Sequence, residues 1–167
     1  MYTNEYNLGV DPQQLIRQLD LQPHPEGGWY RRTFTSPAML STPHGNRPTL
    51  TCIFYLLDEN HLSRWHMIQS PELWHFYKGA PLELITYQPD TPLLQKCILG
   101  NELDAGQILQ AIVPGKTWQC ARSLGAFSLM GCTVTPGFDF RDFQFVRDLP
   151  DHALHFQGAM AGLRHFL

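Results

Sequence analysis

The segment Ser63-Arg-Trp-His66-Met-Ile-Gln-Ser-Pro-Glu72-Leu-Trp-His75-Phe-Tyr-Lys-Gly79 gathers two histidines, a carboxylate and two tryptophans into a strand-like stretch that ends at glycine. Imidazole and carboxylate together supply either metal ligands or a general acid and base. Tryptophans beside them indicate a walled pocket rather than open surface. The expected partner is therefore a small molecule, with His66 and Glu72 as the candidate catalytic pair.

Strand geometry sorts the neighbours of this pair. Side chains alternate across a strand, so an inward His66 brings Ile68 to the same face. On the following strand Glu72, Trp74 and Phe76 share one face, and His75 and Tyr77 share the other. An ionised carboxylate is costly to bury without a cation, donor or metal, so an inward Glu72 implies a function. Trp74 is the candidate for stacking on a ligand, and Ile68 and Phe76 line the same expected cavity. Earlier in the chain, Glu26-Gly27-Gly28 gives a bend with freedom for positive φ, and its functional reading sets Glu26 at the pocket mouth. Arg31 and Arg32 must point to opposite faces, so at most one can clamp a carboxylate or phosphate. Parity does not choose between them; Arg31 shares its face with Trp29, and both are carried as candidate ligand-binding residues.

These residues need a scaffold, and the pattern of the chain describes one. Asp11-Pro12 ahead of Gln-Gln-Leu-Ile-Arg-Gln-Leu reads as an N-cap and a short amphipathic helix over 11–21. Strand signals follow at 29–35, 49–57, 63–68, 73–78, 82–88, 94–99, 108–113, 117–122 and 126–135. Turn chemistry such as Ser70-Pro71, Pro114-Gly115 and Pro136-Gly137 separates them. No helix of crossover length intervenes, which disfavours a parallel sheet and leaves an antiparallel sandwich or barrel over 29–145. From Leu149, Ala153, Phe156, Met160, Leu163 and Leu167 recur at helical spacing, so 149–167 reads as a helical tail. Asp139, inside Pro136-Gly-Phe-Asp-Phe, reads as a turn-stabilising acceptor.

Composition bounds the rest. The 167 residues fit a single domain, 1–167, with 43% hydrophobic and 16% charged content. A net charge of −3 without a basic run argues against nucleic acid as partner. The N-terminus lacks the basic and apolar regions of a signal peptide, and the longest apolar run is 52–57, so a cytoplasmic protein with no membrane partner is expected. Cys52, Cys97, Cys120 and Cys132 are spaced unlike a zinc or redox motif and read as reduced core thiols.

Several separated motifs in one order, Pro23-His-Pro-Glu26-Gly27-Gly28-Trp-Tyr, Trp65-His66, Glu72-Leu-Trp-His75-Phe-Tyr-Lys-Gly79, Trp118-Gln119 and Cys132-Thr-Val-Thr-Pro-Gly-Phe138-Asp139-Phe, resemble a small, uncharacterised subfamily of single-domain cupins. The resemblance implies an all-β, antiparallel double-sheet jelly-roll barrel, with short helices at both termini and a homodimeric state. Metal-binding cupins usually carry two histidines one residue apart, a glutamate, and a third histidine in the second motif. Here Ile68 takes the second position and Gln119 the place of the third histidine. An amide is a poorer ligand than imidazole for zinc or iron. No cofactor is therefore required, and if a divalent metal binds, it does so weakly, through His66, Glu72 and Gln119.

Three functions fit. The leading one is a metal-independent isomerase or epimerase in which His66 and Glu72 transfer protons on a sugar-like or carboxylate-bearing ligand. The second is a metal-dependent cupin enzyme using His66, Glu72 and Gln119. The third is a non-catalytic module that binds a metabolite.

Overall fold

The computed structural model describes residues 10–88, 90–91, 93–149 and 158–167. Helix α1 (Pro12–Gln18) begins where the sequence says it should: Asp11 accepts the Gln13 N–H at 2.9 Å, and proline fills the first helical position. It ends before Leu21, because the chain turns there into a short strand. In chain order the strands are β1 (Gln22–Pro23), β2 (Trp29–Thr35), β3 (Met39–Thr42), β4 (Gly45–Pro48), β5 (Thr51–Asp58), β6 (Leu62–Ile68) and β7 (Glu72–Gly79). There follow β8 (Leu82–Gln88), β9 (Leu93–Leu99), β10 (Gln110–Val113), β11 (Trp118–Ser123), β12 (Phe127–Val134) and β13 (Phe143–Phe145).

Two antiparallel sheets face each other, one in the order β1-β2-β5-β12-β7-β10 and one in the order β13-β6-β11-β8-β9, and β3 and β4 form a separate hairpin. This is the jelly-roll barrel expected from the sequence. Its core, which includes Tyr55, Leu57, Trp74, Leu84, Leu99, Ala121 and Met130, lies between the two sheets. Strand β5 reads as an unbroken apolar run because both of its faces are covered. Tyr55 and Leu57 point into the barrel, while Leu56 points out under α1 with Leu15, Ile16 and Leu129. On the far sheet, Trp65, Ile85, Trp118 and Cys120 are covered by Val146, Leu163 and Phe166. That cover differs from the expected amphipathic α-helix: the described part of the tail is a 3₁₀ stretch, Gly158–Phe166. Ala153 and Phe156, which the helical spacing included, lie outside the described residues. Phe54, His75 and Tyr77 lie on the outer face of the larger sheet, where Tyr77 is 53% and Ile112 69% exposed. Among the described residues, no helix is long and apolar enough to cross a membrane.

The hairpin β3–β4 and strand β13 had no counterpart among the sequence signals. Gly45 at a positive φ closes the hairpin, and a buried ion pair clips it to the segment before β13. Arg47 reaches Asp142 through Nε at 2.7 Å and through a terminal nitrogen at 2.8 Å, a two-point contact. Asp139, as expected, stabilises a turn, accepting the Arg141 N–H at 2.9 Å at the start of the 3₁₀ turn Phe140–Asp142.

The Gly27-Gly28 bend is a backbone requirement. Both residues have positive φ, +117° and +71°. A Cβ on Gly27 would run into the Leu62 carbonyl, and one on Gly28 would sit 2.6 Å from the Leu56 carbonyl oxygen. Gly27→Ala and Gly28→Ala should each destabilise the protein by about 1–3 kcal/mol or more, from strained φ and steric conflict with backbone, as measured by chemical denaturation.

Candidate functional site

A cleft of about 470 Å³, a volume that includes open solvent at its mouth, enters the barrel between the sheets. The Gly27-Gly28 bend folds residues 24–28 against β6, where the Arg64 N–H donates to the Glu26 carbonyl at 3.0 Å and the Tyr55 hydroxyl donates to the Gly27 carbonyl at 2.8 Å. That docking carries the Glu26 side chain inward. It is buried, accepts from the Ser63 hydroxyl at 3.2 Å, and faces His66 Nε2 at 3.2 Å. The sequence reading placed Glu26 at the mouth; the structure sets it deeper, because the bend returns the chain over β6.

His66 is held in one orientation. Its Nδ1 lies 2.7 Å from the Arg64 carbonyl, which can only accept, so Nδ1 carries a proton. Nε2 is left facing the Glu26 carboxylate, and the two form an ion pair whenever the imidazole is protonated. Phe143 stacks on the imidazole, with centroids 5.2 Å apart and planes 15° from parallel. Strand β13 sets this position by pairing with β6, Phe143 opposite Ile68 and Phe145 opposite His66.

Glu72 lines the same cleft from β7 in a different environment. Its Oε2 accepts from the Gln119 amide nitrogen, 2.6 Å away. The other end of that amide is fixed, because the Trp74 indole N–H donates to Gln119 Oε1 at 3.1 Å. An indole N–H can only donate, so Gln119 must present its NH₂ to Glu72. Burial, followed by the charge on Glu26, raises Glu72 from 4.5 to about 7, against the lowering effects of His66, the Gln119 hydrogen bond and Cys132. Glu26 moves the other way. Burial would raise it too, but the His66 charge and the hydrogen bond from Ser63 help hold it below the usual carboxylate range. Environments that push paired carboxylates apart assign one to stay ionised and one to exchange a proton.

The donor set does not fit a metal ion. Gln119 spends its oxygen on Trp74, His66 directs Nδ1 to a carbonyl and Nε2 to Glu26, and Ile68 adds an apolar side chain at the remaining position. Among the described residues, no three His, Cys, Asp or Glu side chains are arranged to hold one.

Four residues of the sequence-derived set, His66, Glu72, Glu26 and Ile68, meet at the cleft. The others do not line it. Trp74 and Gln119 are buried behind the wall, where they orient Glu72, and Phe76 packs into the core with them. Trp29 turns to the outer face beside α1, its indole N–H on Asp58 at 3.3 Å. Arg31 also lies on that outer face, over Phe54, with its guanidinium carbon 5.7 Å from the ring centroid. Arg32 takes the inward position with Tyr30. Sequence reasoning also passed over His24, Tyr55, Phe138 and Phe143, and it took Cys132 for core alone, although that buried thiol also lines the cleft. The close spacing of Phe138, Phe140, Phe143 and Phe145 was the signal available for the aromatic wall.

The chain belongs to the family described as Cupin superfamily (DUF985), whose model matches residues 13–146. A crystal structure of a protein from Shewanella oneidensis is similar at 30% identity and a TM-score of 0.82, over 95% of this chain and 98% of that one. A hypothetical protein from Leishmania major is similar at 30% identity and a TM-score of 0.74, over 80% and 85% of the two chains. An uncharacterized protein of Saccharomyces cerevisiae is 27% identical over 153 residues, 81% of this chain and 75% of its own length.

The raised Glu72 carboxyl has a consequence for stability. Between its ordinary value of 4.5 and about 7 the folded protein keeps a proton that the unfolded chain releases. Stability therefore falls as pH rises through that window, by about 3 kcal/mol at most. Glu72→Gln keeps the hydrogen bond from Gln119 and removes the titration. Its melting temperature should exceed the wild type's at pH 8 and approach it near pH 5, in matched thermal denaturation series.

Proposed function

We propose that this cupin is a metal-independent enzyme that moves protons on a small molecule, in the manner of an isomerase or epimerase. The observation that carries the reading is the shared cleft: a Glu26–His66 ion pair faces a second buried carboxylate, Glu72, poised near neutrality. A catalytic acid or base works best with its pKa close to the operating pH.

The residues divide the labour as follows. Ionised Glu72 takes the proton from a carbon next to a carbonyl, and the electron pair moves through the developing enediol to the carbonyl oxygen. His66, charged and held by Glu26, gives that oxygen a proton. Glu72 then returns its proton to carbon while His66 recovers one from an enediol hydroxyl: return to the neighbouring carbon moves the carbonyl, return to the other face of the same carbon, once the enediol has turned over, inverts configuration, and both residues end as they began. Gln119, locked by Trp74, keeps the Glu72 carboxylate oriented. The aromatic wall of Phe143 and Phe138 limits water around the reacting atoms. The metal-dependent reading loses support from the Gln119 amide, which turns its nitrogen toward Glu72.

The reading can be tested before the substrate is known. A panel of aldoses, ketoses and hydroxy or oxo acids incubated with protein in D₂O should include a member that gains deuterium at the carbon next to its carbonyl, followed by NMR. Glu72→Gln and His66→Gln should each slow that exchange by about 10² to 10⁴ while leaving the fold intact by circular dichroism. Binding of a panel member without exchange would instead assign the cleft to a metabolite-binding module.

A further inference from the structure

Arg32 is half-buried and points into the cleft from β2. Its guanidinium carbon stands 5.7 Å from the centre of the Phe138 ring. A guanidinium stacked on an aromatic ring uses its face and leaves its planar edge of N–H donors free. Among the described residues that edge meets no carboxylate, unlike Arg47, Arg122 and Arg141, each of which has an acidic partner. Phe138 is itself anchored, its N–H donating to Thr51 Oγ1 at 2.9 Å, so the arginine has a fixed platform.

His24 stands beside it. The Glu26 N–H donates to His24 Nδ1 at 3.2 Å, so that nitrogen is an acceptor and the ring proton sits on Nε2. Burial lowers the His24 pKa, and the nearby charges of His66 and Arg32 lower it further, against the raising effect of Glu26. His24 is thus a neutral donor. Thr51, which accepts from Phe138, retains its own O–H to donate.

Charge decides what such a set of donors takes. With His66 protonated, Glu26 and His66 cancel, so Arg32 leaves the cleft with one positive charge while Glu72 holds its proton, and with none once Glu72 is ionised as the base. Resting on the reading of this cleft as the substrate site, we propose that Arg32 binds the carboxylate of a small, singly charged hydroxy or oxo acid, with His24 and Thr51 donating to its oxygens. A phosphate ester carries about two negative charges at neutral pH, more than the single Arg32 charge offsets, so a carboxylate fits better.

The test uses pairs that differ only in charge: gluconate against gluconamide, and lactate against lactamide, with glucose 6-phosphate as the phosphate probe. Affinities are read by ligand-observed NMR titration at pH 6.5 on the wild type, Arg32→Gln, Arg32→Lys and Glu72→Gln, with melting temperatures recorded for each. At least one acid should bind about tenfold or more tightly than its amide, the worth of one charge-assisted contact. That preference should vanish in Arg32→Gln and persist in part in Arg32→Lys, which keeps the charge without the fork. It should survive in Glu72→Gln, where the acid–base reading requires exchange to fail. Equal binding of acid and amide, an undiminished preference in Arg32→Gln, or tighter binding of glucose 6-phosphate than of either acid would overturn the assignment. So would failure of both acids to bind, and deuterium exchange would then still judge the acid–base reading separately.

Discussion

Two carboxylates buried in one cleft cannot both ionise easily without a counter-charge, and among the described residues only His66 offers one there within hydrogen-bonding distance. His66 stands 3.2 Å from Glu26, and its charge is the largest of the effects that hold that carboxylate below its usual range against burial. Glu72 receives a neutral amide donor instead, and the charge on its neighbour makes its own ionisation harder. Burying an ion is costly wherever the partner is neutral, so the asymmetry follows from which partner each carboxylate meets. Every other feature of the site either builds that asymmetry or depends on it.

The fold builds it from three directions. The Gly27-Gly28 bend returns the chain onto β6 and drops Glu26 beside His66, a path that side chains at those glycines would block. Strand β11 sets Gln119 opposite His66 in register, and Trp74 from β7 fixes which end of its amide meets Glu72. Strand β13 lays Phe143 over the imidazole, and the buried Arg47–Asp142 pair ties the approach to that strand to the β3–β4 hairpin. The site is thus assembled from both sheets and two connecting segments, and its core-facing tryptophan is part of the support rather than the binding surface.

Much of this was legible in the sequence wherever period-two alternation is enough. The bounds of β2 and β8 are those the strand signals gave, and the shared parity of Glu72 with Trp74 is that of the structure. Parity says which face a residue takes, but not how deep it lies. Trp74, Phe76 and Gln119 accordingly fell behind the cleft wall instead of lining it. Alternation also required Arg31 and Arg32 to diverge without saying which turned inward; α1 decides that, by covering the face where Trp29 lies. The depth of Glu26 and the role of His24 were hidden for another reason, since a bend with two positive φ values redirects side chains in a way that strand counting cannot follow. Strand β13 is three residues long, too short for a periodic signal, and its role comes from the strand it pairs with.

The central claim is the opposite fate of Glu26 and Glu72, and their side-chain carboxyl carbons report it directly. With ¹³C-labelled glutamate assigned by Glu26→Gln and Glu72→Gln, a pH titration followed by NMR gives each group its own midpoint. The account requires Glu72 to titrate near 7 and Glu26 to stay ionised to a pH below the ordinary carboxylate value of 4.5. Midpoints for both groups between about 4 and 5, as for solvated glutamates, would contradict it.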